Sequence, residues 1–388
     1  LLTVFSSRFW VIVLPFLIQY ALLALFQAIW LYDPKFSGGD FLLTYLAAQR
    51  GLNGDSPYYP YQGYPRPPFS LSYIAPLTVI SEDAALFVLR VVDAAAYLAA
   101  LPATLYLVVR EGVTAAISPR LGLLLTALWV TTATFHHNLY SGQVNGITIL
   151  AMVAAFLCWR HDRRFWAGLL LAAAVLTKAY PVLMAVLWLR ARDFRVLSWL
   201  AAGIAIGIVI PIMLFGPQAS LDYLRIAPYI AAFAASSFDM NLSPGSVAAL
   251  VVRDLHLPGD LAVAVVGRGL SLAVFLAGAL QISRTARKPF IALEFAFMLT
   301  LLMIGGQLIE YDHIQFVMPG VVIIFLILAE RKMPLRWFVV LGVALELIQV
   351  NTLTEYLISF PSAALGYILL CGLCWKLLGR YRREVPAT

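Results

Sequence analysis

Apolar residues in this chain fall into long runs separated by short polar corners, and the runs set the architecture. Residues 9–32, 84–109, 121–135, 147–159, 196–215, 260–282, 290–308, 314–329, 337–350 and 361–378 read as spanning helices, about ten in all. A helix rises about 1.5 Å per residue, so roughly twenty apolar residues cover the ~30 Å hydrocarbon layer. The pattern predicts an all-α polytopic membrane protein, a single domain over residues 1–388 without a soluble domain or an internal repeat.

Two polar interruptions are long, residues 38–77 and 216–259. The first opens with Gly38, Gly39 and Asp40, continues through a tyrosine-rich stretch and turns at the prolines around Arg66. Its apolar positions Phe41, Leu42, Tyr45 and Leu46 recur with helical spacing, which predicts short interfacial helices. Residues 165–189 depart from the alternation differently. RHDRR precedes them, RARDFR follows, and Lys178 and Pro181 sit at the middle. A straight span would put one basic cluster on the wrong side, whereas a re-entrant helical hairpin with Lys178 near its apex keeps both together. Broken backbone at that depth is tolerated only inside protein or beside a wet cavity, so the hairpin implies a cavity as well.

Charge then orients the chain. Short cytoplasmic loops retain Lys and Arg, and most of the 27 basic residues lie at alternate helix ends. The expectation is a multi-pass protein of the cell (inner or plasma) membrane with both termini cytoplasmic and residues 38–77 and 216–259 external. The first apolar run, long and without a small-residue cleavage site after it, reads as a retained helix.

Composition agrees: 62% of residues are hydrophobic, 12% are charged and the mean hydropathy is +0.87. The net charge of +7 belongs to the cytoplasmic loops, so a nucleic-acid partner is set aside. Cys158, Cys371 and Cys374 all fall in or at the ends of apolar runs, where packing rather than disulfide or metal chemistry is expected of them.

The uncommon polar residues collect on the external side: Asp40, Asp55, Arg66, His136, His137, Gln143, Asn145, Asn241, Glu310, Asp312 and His313. Asp40 taken alone is most simply a helix cap. Its setting in a long, proline-stiffened loop raises a catalytic reading. Lys178 at the centre of an apolar segment costs about 2.5 to 3.5 kcal/mol on insertion scales, so a function is its default expectation, and it suits a phosphate. Arg268, inside residues 260–282, carries the same default, although it can snorkel outward. Glu294 and Glu346 are buried-looking acids without a role. Arg90 and Asp93, one turn apart, read as a local ion pair.

With GGDFLLTYLAAQRGLNGDSPY, PPFSLSYIAPL, NLYSGQVNG, AGLLLAAAVLTKAYPVLMAVLWLRARDF, NLSPGS and EYDHIQFVMPG in place, the chain resembles the polytopic glycosyltransferases of family eighty-seven, which share the GT-C architecture. The resemblance implies a polyprenyl-phosphate-linked hexose such as mannose as donor and transfer on the non-cytoplasmic side. It places the catalytic carboxylate on Asp40 and an assisting histidine on His313. Lys178, Arg66 and Arg268 would then meet the donor phosphate and lipid. Tyr45, Tyr59, His136, His137, Gln143, Asn145, Asn241 and Glu310 would meet the sugar or a lipid or glycan acceptor.

The chemistry needs few groups. Transfer from a sugar phosphodiester requires a base for the acceptor hydroxyl. The departing lipid phosphate, with a second pKa of about 6, needs cations more than protons. A single displacement inverts the anomeric centre. No histidine and acid cluster has metal-ligand spacing, so neither metal nor cofactor is expected. Rival readings are a transporter or flippase, which would also break helices at mid-membrane, a glycan polymerase or ligase, and a purely structural membrane protein.

Overall fold

The computed structural model describes residues 38–58, 66–113, 132–236, 260–283, 291–305, 315–354 and 362–384, with isolated positions between 122 and 129. Among them every regular element is helical. The chain forms two compact units; the described residues of one fall within 38–100 and 137–236, and those of the other within 101–136 and 260–384.

The first unit begins with α1 (Gly39–Leu52), α2 (Pro68–Ile74) and a 3-10 turn (Ala75–Val79). Gly38 precedes α1 with φ 80°, a left-handed conformation that suits glycine. Its N–H donates to Tyr140 O at 2.8 Å. Pro68 opens α2, where its missing N–H leaves no bond unmade. These pieces fold around Phe41, Tyr45, Ala48, Tyr58, Leu71 and Ile74 into a core completed by Leu86, Leu89, Val144 and Phe215.

Next come α3 (Glu82–Arg110), α4 (Ala133–Ser141), α5 (Asn145–Arg160) and α6 (Arg164–Thr177). α6 stops where Lys178 turns extended, at φ −142° and ψ 122°. The chain continues through a 3-10 turn (Tyr180–Met184) and α7 (Ala185–Arg190) into α8 (Phe194–Ser236). Glycines fix how α6 meets α8. A Cβ on Gly168 would lie 2.5 Å from Trp199 Cβ, and one on Gly203 would lie 2.6 Å from Ala172 Cβ. Gly207 faces Leu176. The paired numbers rise together, so α6 and α8 run parallel, and the segment between them must return the chain to its starting end. Asp193 fastens that end, accepting from Arg164 Nε at 2.9 Å and from Trp159 Nε1 at 3.1 Å. Residues 164–193 are therefore a folded-back helical hairpin with Lys178 at its reversal, and both basic clusters lie at the opposite end from it.

α8 departs from expectation. The pattern ended a span at residue 215 and began a loop, but the chain bends at Gly216 (φ 76°, ψ 164°) and stays helical to Ser236. Glycine permits the bend, and Pro217 then stands at the first turn of a new helix, where proline is favoured.

In the other unit α9 (Asp260–Ser283), α10 (Ile291–Gly305), α11 (Met318–Glu330), α12 (Leu335–Thr354) and α13 (Ser362–Glu384) follow. α10 and α11 are buried nearly throughout. Glu111 accepts from the Ile291 N–H at 3.2 Å, capping α10. Gly366 approaches the Ala344 carbonyl of α12 closely enough to exclude a side chain. Cys371 and Cys374 on α13 are free thiols.

Two described helices are long and apolar enough to cross a membrane, Glu82–Arg110 and Phe194–Ala227. Their large apolar side chains Phe87, Val91, Leu98, Ile206, Val209 and Met213 are exposed, as lipid-facing groups would be. α5 and α6, with 16 and 14 residues, extend about 24 and 21 Å and fall short of a full crossing. The segment 9–32 lies outside the described residues, as do seven of the fifteen residues of 121–135.

Replacing Gly168 by Ala should force α6 away from the α8 backbone and lower stability by about 1–3 kcal/mol. Thermal unfolding in detergent should show that loss, whereas Gly372→Ala, with open space at its Cβ, should leave the midpoint unchanged or higher.

Candidate active site

Asp40 sits in the first turn of α1. It is not the cap; Gly38 holds that position and no side chain caps the helix. The favourable field of the helix N-terminus still acts on its carboxylate. Thr44 Oγ1 donates to the Asp40 carbonyl at 2.8 Å, and the Asp40 side chain is left 40% exposed.

Two groups hold that carboxylate by the same oxygen. Gln143 Nε2 donates to Oδ2, and Arg66 Nη2 lies 3.7 Å from it. Among the described residues both contacts fall on Oδ2, leaving Oδ1 for another partner. Arg66 is itself positioned, because Tyr58 OH donates to its carbonyl at 3.1 Å and the Tyr73 phenol lies beside its guanidinium. Burial pushes the Tyr73 phenol above its usual range despite the nearby cation, which keeps it protonated at neutral pH.

Gln143 is placed by the polar corner 138–147, which α3 grips from below. Asp93 is fully buried and accepts from Asn138 Nδ2 at 2.6 Å and from the Ile147 N–H at 3.0 Å. Arg90 donates through Nε to Leu139 O at 2.6 Å and through Nη2 to Tyr140 O at 2.9 Å. The pair expected to serve each other therefore reaches for the corner instead. The Gln143 N–H donates to Asn138 O at 3.0 Å, so one short relay runs from Asp93 through Asn138 and Gln143 to Asp40. Glycine is required in two places. Gly142 has φ 71° and a Cβ there would meet Phe41 and Leu86, while one on Gly146 would strike Asp93.

Lys178 is half-buried at the same end of the unit, close enough to act electrostatically on Asp93. The structure thus gathers Asp40, Arg66, Gln143 and Lys178 at the end opposite the basic clusters. It adds Tyr73, Asn138, Arg90 and Asp93, which sequence reasoning passed over as site residues.

Other expectations change. Tyr45, expected at the sugar or acceptor, is 4% exposed and its hydroxyl donates to Ile80 O at 2.7 Å. Gln143 is 3% exposed and its Nε2 donates to Asp40. Asn145 is fully buried and its N–H donates to Asn138 Oδ1 at 3.4 Å, so it belongs to the interior wiring of the corner. His137 is half-buried in the same unit as Asp40; its carbonyl accepts from Ser141 Oγ at 2.9 Å. His136 belongs to the other unit, its ring 5.6 Å from that of Phe135. Tyr59, Asn241, Glu310 and His313 lie outside the described residues, as does the side chain of Arg268 on α9. Among the described residues no three His, Cys, Asp or Glu side chains gather as a metal site.

A half-exposed carboxylate anchored by one oxygen, with Arg66 beside it and Lys178 at the same end of an apolar helix bundle, makes a polar site suited to acid–base and phosphate chemistry in a membrane protein. The family model for glycosyltransferase family 87 matches residues 64–305, well over half the chain, and the protein belongs to that family. No curated protein and no solved structure matches it significantly. The match takes in Arg66, Tyr73, Arg90, Asp93, Gln143 and Lys178; Asp40 precedes it, and Glu310 and His313 follow. Membership makes the chain a membrane glycosyltransferase and decides against a transporter.

Arg90→Met should release two carbonyls of the corner and lower stability by roughly 1.5–3 kcal/mol, the range for a bond to a charged group. Thermal unfolding in detergent checks this, and an unshifted midpoint would show that the corner holds without Arg90.

Proposed function

We propose that the protein is an inverting hexosyltransferase that moves a sugar, mannose first among candidates, from a polyprenyl-phosphate donor to a lipid or glycan acceptor. The frame is GT-C-like, with about ten spans and the hairpin 165–189 re-entrant. It lies in the cell membrane with both termini cytoplasmic and the site on the external face. One observation carries the reading: Asp40 is tethered by Gln143 and Arg66 through Oδ2, while Oδ1 stays open on a half-exposed side chain.

That geometry suits a general base. Oδ1 accepts the proton of the acceptor hydroxyl as its oxygen attacks the anomeric carbon from the face opposite the phosphate. The C–O bond to the phosphate breaks in the same step, and the configuration inverts. Negative charge grows on the departing phosphate, where Lys178 and Arg66 stabilise it electrostatically. Tyr73, protonated beside Arg66, supplies a neutral hydrogen-bond donor to the same region. These cations meet the phosphate without a metal or other cofactor. His313 as an assisting group, Arg268 as a lipid contact, and Tyr59, His136, His137, Asn241 and Glu310 as sugar or acceptor contacts remain part of the proposal.

Orientation follows from charge. The hairpin brings Arg160, Arg163, Arg164, Arg190, Arg192 and Arg195 to one end and Lys178 and Asp40 to the other, which supports cytoplasmic and external assignments respectively.

Asp40→Asn should keep the fold and reduce transfer from a radiolabelled polyprenyl-phosphate sugar by about 10²–10⁴-fold, the usual contribution of a general base. Lys178→Ala should weaken donor use. Full activity of Asp40→Asn in the membrane assay would remove Asp40 as base, and unchanged donor KM and kcat would remove Lys178 from the site.

A further inference from the structure

At the end of the first unit opposite Asp40, a cavity of about 490 Å³ opens where α6 and α8 begin. Arg163, Arg164 and Arg195 line it together with Phe165, Trp166, Trp199 and one carboxylate, Asp162. The three arginines are not equivalent. Arg164 is neutralised, with Asp162 at 3.0 Å and Asp193 at 2.9 Å. The guanidinium groups of Arg163 and Arg195 have no hydrogen-bond or ion-pair partner among the described residues. Because two carboxylates converge on Arg164, the cluster of three arginines and two aspartates keeps a net positive charge, carried by Arg163 and Arg195.

The wall is aromatic and well fixed. The Phe165 ring stands edge-on to Trp199 at 4.7 Å and to Trp166 at 5.0 Å. Directly beneath, Gly168 lets the α6 and α8 backbones touch, so the wall cannot slide. Trp166 is nevertheless 55% exposed and Phe194 62% exposed. Exposed indole and phenyl groups beside arginines at the end of apolar helices are the composition of a membrane–water boundary. The site is an open groove, with Arg163, Phe165, Trp166, Arg195 and Trp199 all exposed along it.

We propose that this cavity holds the headgroup of an anionic phospholipid from the leaflet opposite the active site. Arg163 and Arg195 would pair with the phosphodiester, and Trp166 would lie along the glycerol and upper acyl chain. Basic pockets between membrane helices recognise headgroups by this chemistry. The occupant is a lipid because Trp199, Ile206 and Met213, two turns apart on one face of α8, are all exposed and continue the aromatic wall as an apolar strip, which a soluble phosphate would leave uncovered. The inference does not depend on which sugar or acceptor the protein uses.

The test uses the full chain in nanodiscs of phosphatidylcholine mixed with phosphatidylglycerol, followed by native mass spectrometry of retained lipid. The unaltered protein should retain phosphatidylglycerol in preference. R163Q/R195Q should lose that preference by roughly thirty-fold, the loss expected for two basic side chains at a membrane surface. R163K/R195K should keep most of it, and Lys332→Gln, which removes a positive charge that is not part of the cavity lining, should keep all of it. Retained preference in R163Q/R195Q would overturn the proposal, as would equal loss in Lys332→Gln. Displacement of the lipid by soluble glycerol phosphate at matching concentration would also overturn it, in favour of a free-phosphate site.

Discussion

Asp93 imposes the constraint from which the site is built. A carboxylate with no exposed surface must be fully hydrogen-bonded, because an unpaired buried charge costs several kcal/mol. Its partners are Asn138 Nδ2 and the Ile147 N–H, on either side of the glycine-rich corner. Satisfying Asp93 therefore fixes the corner, and the corner aims Gln143 at Asp40. Arg90 holds the neighbouring carbonyls, and the Gly38 N–H closes on Tyr140 O. The loop that supplies the carboxylate and the long apolar helix α3 are thus joined by polar bonds rather than by apolar packing alone.

The hairpin solves a second problem. A charged side chain can be carried into an apolar segment if the backbone turns back there, because the chain never has to take the charge across. α6 rises to Lys178, and Asp193 ties the descending arm to Trp159 and Arg164. The stack of Phe156 on Trp188 at 5.5 Å stiffens the base. Lys178 and the basic clusters are separated by the length of α6, about 21 Å.

Much of this was legible in the sequence because it rests on local rules. Apolar runs predict helices, and two arginine clusters around one short apolar segment predict a return. What escaped was tertiary. Gln143 and Asp40 lie 103 residues apart, and no periodicity links them. Arg90 and Asp93 satisfy the spacing of a helical ion pair, but their partners come from 45 to 54 positions away. Tyr45 shares helical spacing with Phe41, which reports a common face without saying that the face is interior. Gly216 with Pro217 reads as a helix end, and only the turn geometry reveals a restart.

The central claim is that Gln143 acts through Asp40, holding its Oδ2 so that Oδ1 serves as base. A double-mutant cycle on the transfer rate tests it most directly, with Gln143→Ala, Asp40→Asn and their combination. The account predicts that Gln143→Ala slows the reaction alone but adds nothing once Asp40 is Asn. Independent, multiplicative losses in the double variant would contradict it.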